Sequence, residues 1–137
     1  MVAGRKKQEV LVTDSAKNSR EAVTEIFSSA GYNVTAAATG SETIELLTRE
    51  SFDLIVCDVN LSRSSGLEVV RMAHALNQKA KILVVSSSGG SAMRKKMKKE
   101  GAFDLLDKPL RKATLLAAAR EALKRAPSRR KAEVTPL

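Results

Sequence analysis

Tryptophan is absent from this 137-residue chain, tyrosine occurs once, and aromatic residues make up only 3% of it. Few rings are therefore available to stack unpaired bases, which disfavours single-strand nucleic-acid binding of that kind. Cysteine is confined to Cys57 and histidine to His74. No internal disulfide can form, no cysteine-based zinc site can be assembled, and nothing hints at an oxidising compartment. No apolar run approaches the roughly 20 residues that span a bilayer, and Met1-Val2-Ala3-Gly4-Arg5-Lys6-Lys7 lacks the apolar stretch of a secretory signal. A soluble, cytoplasmic protein with no membrane partner is expected.

What the chain has is positive charge. The formal net charge of +9 suggests attraction to anions, whether nucleic acid, anionic lipid or an acidic protein surface, and charge alone does not choose among them. The length fits one domain at roughly 100–200 residues per domain and leaves no room for a second folded module such as a separate helix-turn-helix. There is no internal repeat.

Apolar runs and helical stripes alternate along the chain. A flexible basic arm over 1–8 precedes a strand over Glu9 to Thr13, and Asp14-Ser15 can cap a helix striped by Ala22, Val23, Ile26, Phe27 and Ala30. Gly31 stops that helix, Tyr32 to Ala37 is β-like, Thr39-Gly40-Ser41 opens a helix through Ile44 and Leu47, and Phe52 to Cys57 is the most apolar strand. A loop over Asn60 to Gly66 leads to a helix striped by Leu67, Val70, Ala73 and Leu76, then to a β-branched strand over Lys81 to Val85. The Ser86 to Ser91 loop, a basic helix over Ala92 to Glu100, a strand over Phe103 to Leu106 and a helix over Lys112 to Lys124 complete the pattern. Residues 126–137, with Arg129-Arg130-Lys131, read as a basic, disordered tail. Five β/α units predict a doubly wound α/β fold with a five-stranded parallel sheet, its strands apolar throughout because helices cover both faces.

In such a sheet, ligands bind outside the carboxyl ends of the strands. Three runs end there on residues suited to phosphate chemistry: Val10-Leu11-Val12 on Asp14, Leu54-Ile55-Val56-Cys57 on Asp58, and Leu105-Leu106 on Lys108-Pro109. No glycine-rich phosphate loop follows the first strand, where Asp14-Ser15-Ala16-Lys17 stands instead, so a flavodoxin-like enzyme is disfavoured.

Val12-Thr13-Asp14, Asp53 to Asn60, Gly66-Leu67-Glu68, Val84-Val85-Ser86, Gly101-Ala102 and Asp107-Lys108-Pro109, in this order and spacing, resemble a response-regulator receiver domain of two-component signalling. The resemblance covers about Glu9 to Arg125 and implies the flavodoxin-like receiver fold over 9–125, of the stand-alone kind seen in the chemotaxis response regulator. It further implies that Asp58 is the phosphoacceptor, served by a histidine kinase or phosphotransfer protein. Asp14, Asp58 and the Asn60 backbone carbonyl would ligate Mg²⁺, a hard cation suited to oxygen donors. Lys108 would pair with Asp58 and then with phosphoryl oxygen, aimed by a cis peptide before Pro109. Ser86, with Ser87 as a substitute, would hydrogen-bond the phosphoryl group and move the following loop. Such a protein is a phospho-accepting switch with weak self-phosphorylation and self-dephosphorylation chemistry, not a metabolic enzyme.

The chain departs from the family in three places. Thr13 stands where most receivers carry the first acid of a pair, which should weaken Mg²⁺ binding by about 1–2 kcal/mol. Leu105 occupies the position of the aromatic switch, so no ring can swing there. Leu61-Ser62-Arg63-Ser64-Ser65 lacks the family's usual pattern, with Arg63 placed to face either the phosphate or a partner. Arg94, Lys95, Lys96, Lys98 and Lys99 crowd one helix, and that helix with the last strand and helix forms the surface through which a downstream protein is expected to bind. The other readings are a phosphorylation-independent pseudo-receiver and, less favoured, a nucleic-acid binder using the basic helix and tail. His74 reads as an ordinary helical histidine and Cys57 as a small buried hydrophobe.

Overall fold

Side chains of successive strand residues point to opposite faces of a sheet, and here both faces are apolar and both are covered. The computed structural model describes residues 7–76 and 79–124. In chain order the elements are β1 (Glu9–Thr13), α1 (Lys17–Ser29), β2 (Asn33–Ala37), α2 (Gly40–Arg49), β3 (Leu54–Asp58), β4 (Asn60–Leu61), β5 (Ser64–Ser65), α3 (Gly66–Leu76), β6 (Lys81–Ser86), α4 (Gly90–Glu100), β7 (Asp104–Asp107) and α5 (Lys112–Lys124). Among the described residues a five-stranded sheet runs in the order β2-β1-β3-β6-β7. All its pairings are parallel, as the alternating sequence predicts. The short β4–β5 hairpin was expected only as loop; it pairs Asn60 with Ser65 and Leu61 with Ser64.

Val10, Val12, Leu54, Val56, Leu83 and Val85 face α1 and α5, where Val23, Phe27, Leu115, Ala119 and Ala122 complete one core. Leu11, Ile55, Cys57, Ile82, Val84 and Leu105 face the other way, toward Leu47 of α2, Val69, Val70 and Ala73 of α3 and Met97 of α4. Every residue of β3 and β6 is buried, which is what central parallel strands require. Burying a Val, Leu or Ile side chain contributes roughly 1.5–3 kcal/mol, so these central strands anchor the site at their ends.

Helix starts follow local chemistry. Thr39 caps α2 by accepting the Glu42 N–H, while Glu42 accepts from the Ala38 N–H. Ser65 and Glu68 exchange side-chain and backbone hydrogen bonds at the head of α3, a capping box. The expected cap of α1 differs: Ala16 is the N-cap residue without a side-chain bond, and Asp14 instead accepts the Ala16 N–H at 2.9 Å, closing an Asx turn.

Some expected core positions lie outside. Ala22 and Ala30 are exposed, and Leu76, the last residue of α3, is 42% exposed, although the buried Val69 lies two turns earlier on the same face of the helix. The arm over 1–8 falls almost wholly, and the tail over 126–137 wholly, outside the described residues. No helix among the described residues is long and apolar enough to cross a membrane.

Candidate functional site

The order β2-β1-β3 makes the chain reverse direction across the sheet between β1 and β3, leaving a crevice above their carboxyl ends. Asp14 stands just past β1 and Asp58 ends β3, and each is only 7% exposed. Their backbones are fixed by the sheet: the Asp14 N–H donates to the Ala37 carbonyl, and Asp58 is in register with Val85 of β6. The loop after β7 brings Lys108 over both. Its Nζ lies 2.5 Å from Asp58 Oδ2 and 3.8 Å from Asp14 Oδ2. The Lys108 N–H donates to the Ser86 carbonyl at 2.8 Å, tying that loop to the end of β6. The Lys108–Pro109 peptide bond is cis.

Two carboxylates against one ammonium leave the crevice with a net charge of −1. Partial burial works against the Lys108 charge, but the hydrogen bond to Asp58 and the charges of Asp58 and Asp14 outweigh it and hold its pKa above the ordinary lysine value. Asp58 Oδ1 accepts the Asn60 N–H at 2.9 Å, which orients the carboxylate. Cys57, adjacent but on the other pleat, is fully buried. Burial, then the charges of Asp58 and Asp14, push its thiol far above the usual range, so it is no nucleophile.

The donor set suits a hard cation. Asp14 and Asp58 converge on the same Lys108 ammonium, and Mg²⁺ is commonly held by one or two carboxylates while keeping several waters. Among the described residues no group of three or more His, Cys, Asp or Glu could form an all-side-chain metal site. A backbone carbonyl, water and a phosphoryl oxygen would have to complete the shell.

Thr13 is 1% exposed, and its hydroxyl lies 2.6 Å from the hydroxyl of Thr43 on α2. Thr43 was not singled out in the sequence; its signal was a polar residue four positions before Leu47 on the buried face of α2. Ser86 is buried, and its Oγ accepts the Ser88 N–H at 3.1 Å, whereas Ser87 is exposed. Leu105 is fully buried, and a Cβ on Gly89 would come within 2.9 Å of its Cδ2. Gly66 is required for a different reason: a Cβ there would sit 2.5 Å from the Asp58 carbonyl oxygen. Its N–H donates to the Val59 carbonyl at 2.6 Å, so α3 begins against the backbone that follows Asp58.

Arg63, at φ 83, lines a groove between α2 and α3 with Gly40, Ile44 and Met72. On α4, Lys95, Lys96, Lys98 and Lys99 are exposed, while Arg94 is engaged with Asp104 of β7. His74 is half-buried, and its ring lies over Gly101.

The family model described as the response regulator receiver domain matches residues 10–120. The response regulator protein TodT of Pseudomonas putida is 31% identical over 121 residues, covering 88% of this chain and 53% of that protein. The chain thus spans about half the length of the curated relatives it matches. A CheY-like response regulator receiver domain protein from Methanospirillum hungatei superposes with a TM-score of 0.83 at 25% identity, covering 87% of this chain and 95% of that one. A response regulator from Burkholderia pseudomallei, whose structure holds a phosphorylated aspartic acid, a calcium ion and citrate, gives a TM-score of 0.77 at 28% identity, covering 86% and 75%.

Proposed function

This chain belongs to the response-regulator receiver family, and on that premise we propose that Asp58 is its phosphoacceptor. The donor is a phosphohistidine on a histidine kinase or phosphotransfer protein. A carboxylate oxygen of Asp58 forms the new P–O bond as the P–N bond to the donor imidazole breaks, and the departing nitrogen keeps the electron pair and is protonated from solvent. The observation that carries this reading is the Lys108 ammonium bridging Asp58 and Asp14 at the strand ends.

Asp14, Asp58 and the Asn60 backbone carbonyl hold Mg²⁺, which when bound offsets negative charge on the nucleophile and on the phosphoryl oxygens. Lys108 neutralises Asp58 before transfer and pairs with a phosphoryl oxygen afterwards. The hydroxyl of Ser86, or of Ser87, donates to the phosphoryl group, pulling the loop that leads into α4. The lysines of α4, with β7 and α5, then meet a downstream protein. The receiver unit is assigned to 9–125, the last residue of which lies outside the described residues, and it works in the cytoplasm, where such donors act. The phosphorylated aspartic acid and calcium ion in the structure of the Burkholderia relative support this chemistry as one that this fold accommodates.

The test is incubation with phosphoramidate or acetyl phosphate and Mg²⁺, read by intact-protein mass spectrometry. Wild type gains one phosphoryl group and Asp58→Asn gains none. No gain on wild type, or the same gain on Asp58→Asn, rejects the reading in favour of a phosphorylation-independent interaction module.

A further inference from the structure

The expected cation ligands sit on two loops that share no strand ladder: the turn after β1, carrying Asp14, and the β4–β5 hairpin, beginning at Asn60. Among the described residues, one side-chain hydrogen bond joins them. The Ser62 N–H donates to Ser15 Oγ across 2.8 Å, a bond between residues 47 positions apart.

The hairpin needs such a tie. Its ladder is two residues long, and isolated short hairpins are marginal in water. Its turn also holds Arg63 at φ 83, a conformation that side-chain-bearing residues adopt at a cost. Its base is held by the Asn60 N–H on Asp58 and by the Gly66 N–H on the Val59 carbonyl, but the tip at Ser62 is exposed. The turn after β1 is rigid by comparison. Asp14 accepts the Ala16 N–H, and Arg20 reaches back from α1 to donate to the Asp14 carbonyl at 2.9 Å.

We propose that Ser15 is a positioning residue for the cation site: its Oγ fixes the tip of the hairpin to the turn that carries Asp14, and so sets the spacing between Asp14 and Asn60. The proposal rests on the reading that Asp14, Asp58 and the Asn60 carbonyl bind Mg²⁺. A serine suits the role because its oxygen is close to the backbone and accepts without adding charge to the crevice. Arg20 acts one step further out, holding the turn from which Ser15 projects.

Ser15→Ala removes the acceptor and Ser15→Thr retains it. The measurements are Mg²⁺ binding by titration calorimetry and amide exchange by NMR on the metal-free protein, with the thermal midpoint recorded for each. In Ser15→Ala, exchange at the Ser62 amide quickens and the Mg²⁺ dissociation constant rises, each about three- to tenfold for one lost hydrogen bond. Ser15→Thr returns both toward wild type. The midpoint alone moving, or faster exchange with unchanged Mg²⁺ binding, overturns the proposal and leaves a merely structural serine. Wild type that binds Mg²⁺ no more loosely than expected while Ser15→Ala binds equally well defeats the proposal alone. Wild type that takes up no Mg²⁺ defeats the metal reading beneath it, and the proposal falls with it.

Discussion

The hydroxyl of Thr13 donates to the hydroxyl of Thr43. The two oxygens are 2.6 Å apart, and Thr43 already spends its single proton on the Thr39 carbonyl at 2.9 Å, so the shared proton comes from Thr13. The residue standing where most receivers carry an acid is thereby anchored to α2, at the head of which Thr39 also caps the helix. The crevice holds two carboxylates, and Lys108 offsets the charge of only one of them.

Thr13→Asp should restore the missing charge at a price in the metal-free fold. The new carboxylate would occupy a site that is 1% exposed, beside Asp14 and with Thr43 already committed as a donor elsewhere. Without metal the variant is expected to lose about 1–3 kcal/mol, the cost of a poorly satisfied buried polar group. With Mg²⁺ it should recover, binding the ion about 5- to 30-fold more tightly, equivalent to ~1–2 kcal/mol. Calorimetric titration and thermal unfolding with and without Mg²⁺ check both halves. Equal affinities in the two proteins would show that position 13 has no part in the metal site.

Lys108→Met should reveal the ion pair through pH. The folded state raises the Lys108 pKa through Asp58 and Asp14, so the pair's contribution is fully present below the unfolded lysine value of roughly 10.4. It is lost as pH rises through the higher folded value. Wild type should therefore lose stability above that pH in denaturant titrations, and Lys108→Met should lack this component of the slope. The variant leaves Asp14 and Asp58 facing each other without a counter-charge, so its Mg²⁺ affinity should rise while its rate of phosphorylation falls. An identical alkaline slope in both proteins would rule out the pair as its source.

Gly66→Ala tests how closely α3 approaches the site. The added Cβ would meet the Asp58 carbonyl oxygen at 2.5 Å and the Val59 Cα at 2.7 Å, and both are backbone atoms that cannot rotate aside. Overpacking of this kind costs about 1–3 kcal/mol, read as a lower midpoint in urea. Because the shift falls on the backbone that orients Asp58, phosphorylation by phosphoramidate should slow as well. A variant as stable and as reactive as wild type would mean that the start of α3 can move without disturbing the site.

Much of this was legible in the chain. Continuous apolar runs and helical stripes specify strands and helices locally, and the runs Leu54 to Cys57 and Ile82 to Val85 are so apolar that only a doubly covered parallel sheet can house them. Gly31 and Gly101 mark chain reversals with φ 98 and φ 123, values that glycine adopts readily. The polar residues at strand ends were visible for the same reason, since a polar group that terminates a buried strand has to emerge at the sheet edge.

What the chain did not disclose is every relation that depends on how helices and loops lie against one another. Val69 and Leu76 share one face of α3, yet Val69 is buried and Leu76 is 42% exposed, because an apolar stripe does not say how far along a helix its cover extends. Thr43 meets Thr13 because α2 packs over the end of β1, and Ser15 meets Ser62 because two loops 47 residues apart arrive at one crevice. The sequence by itself determined the element order, the two apolar faces and the set of charged residues at the strand ends, because these follow from local periodicity and burial. Only the tertiary structure decided that Lys108 spans both carboxylates, that Thr13 is bound to α2, and that Ser15 ties the hairpin down. Hydrogen bonds of a few ångströms between distant residues are fixed by the packing of whole elements, and no local pattern encodes them.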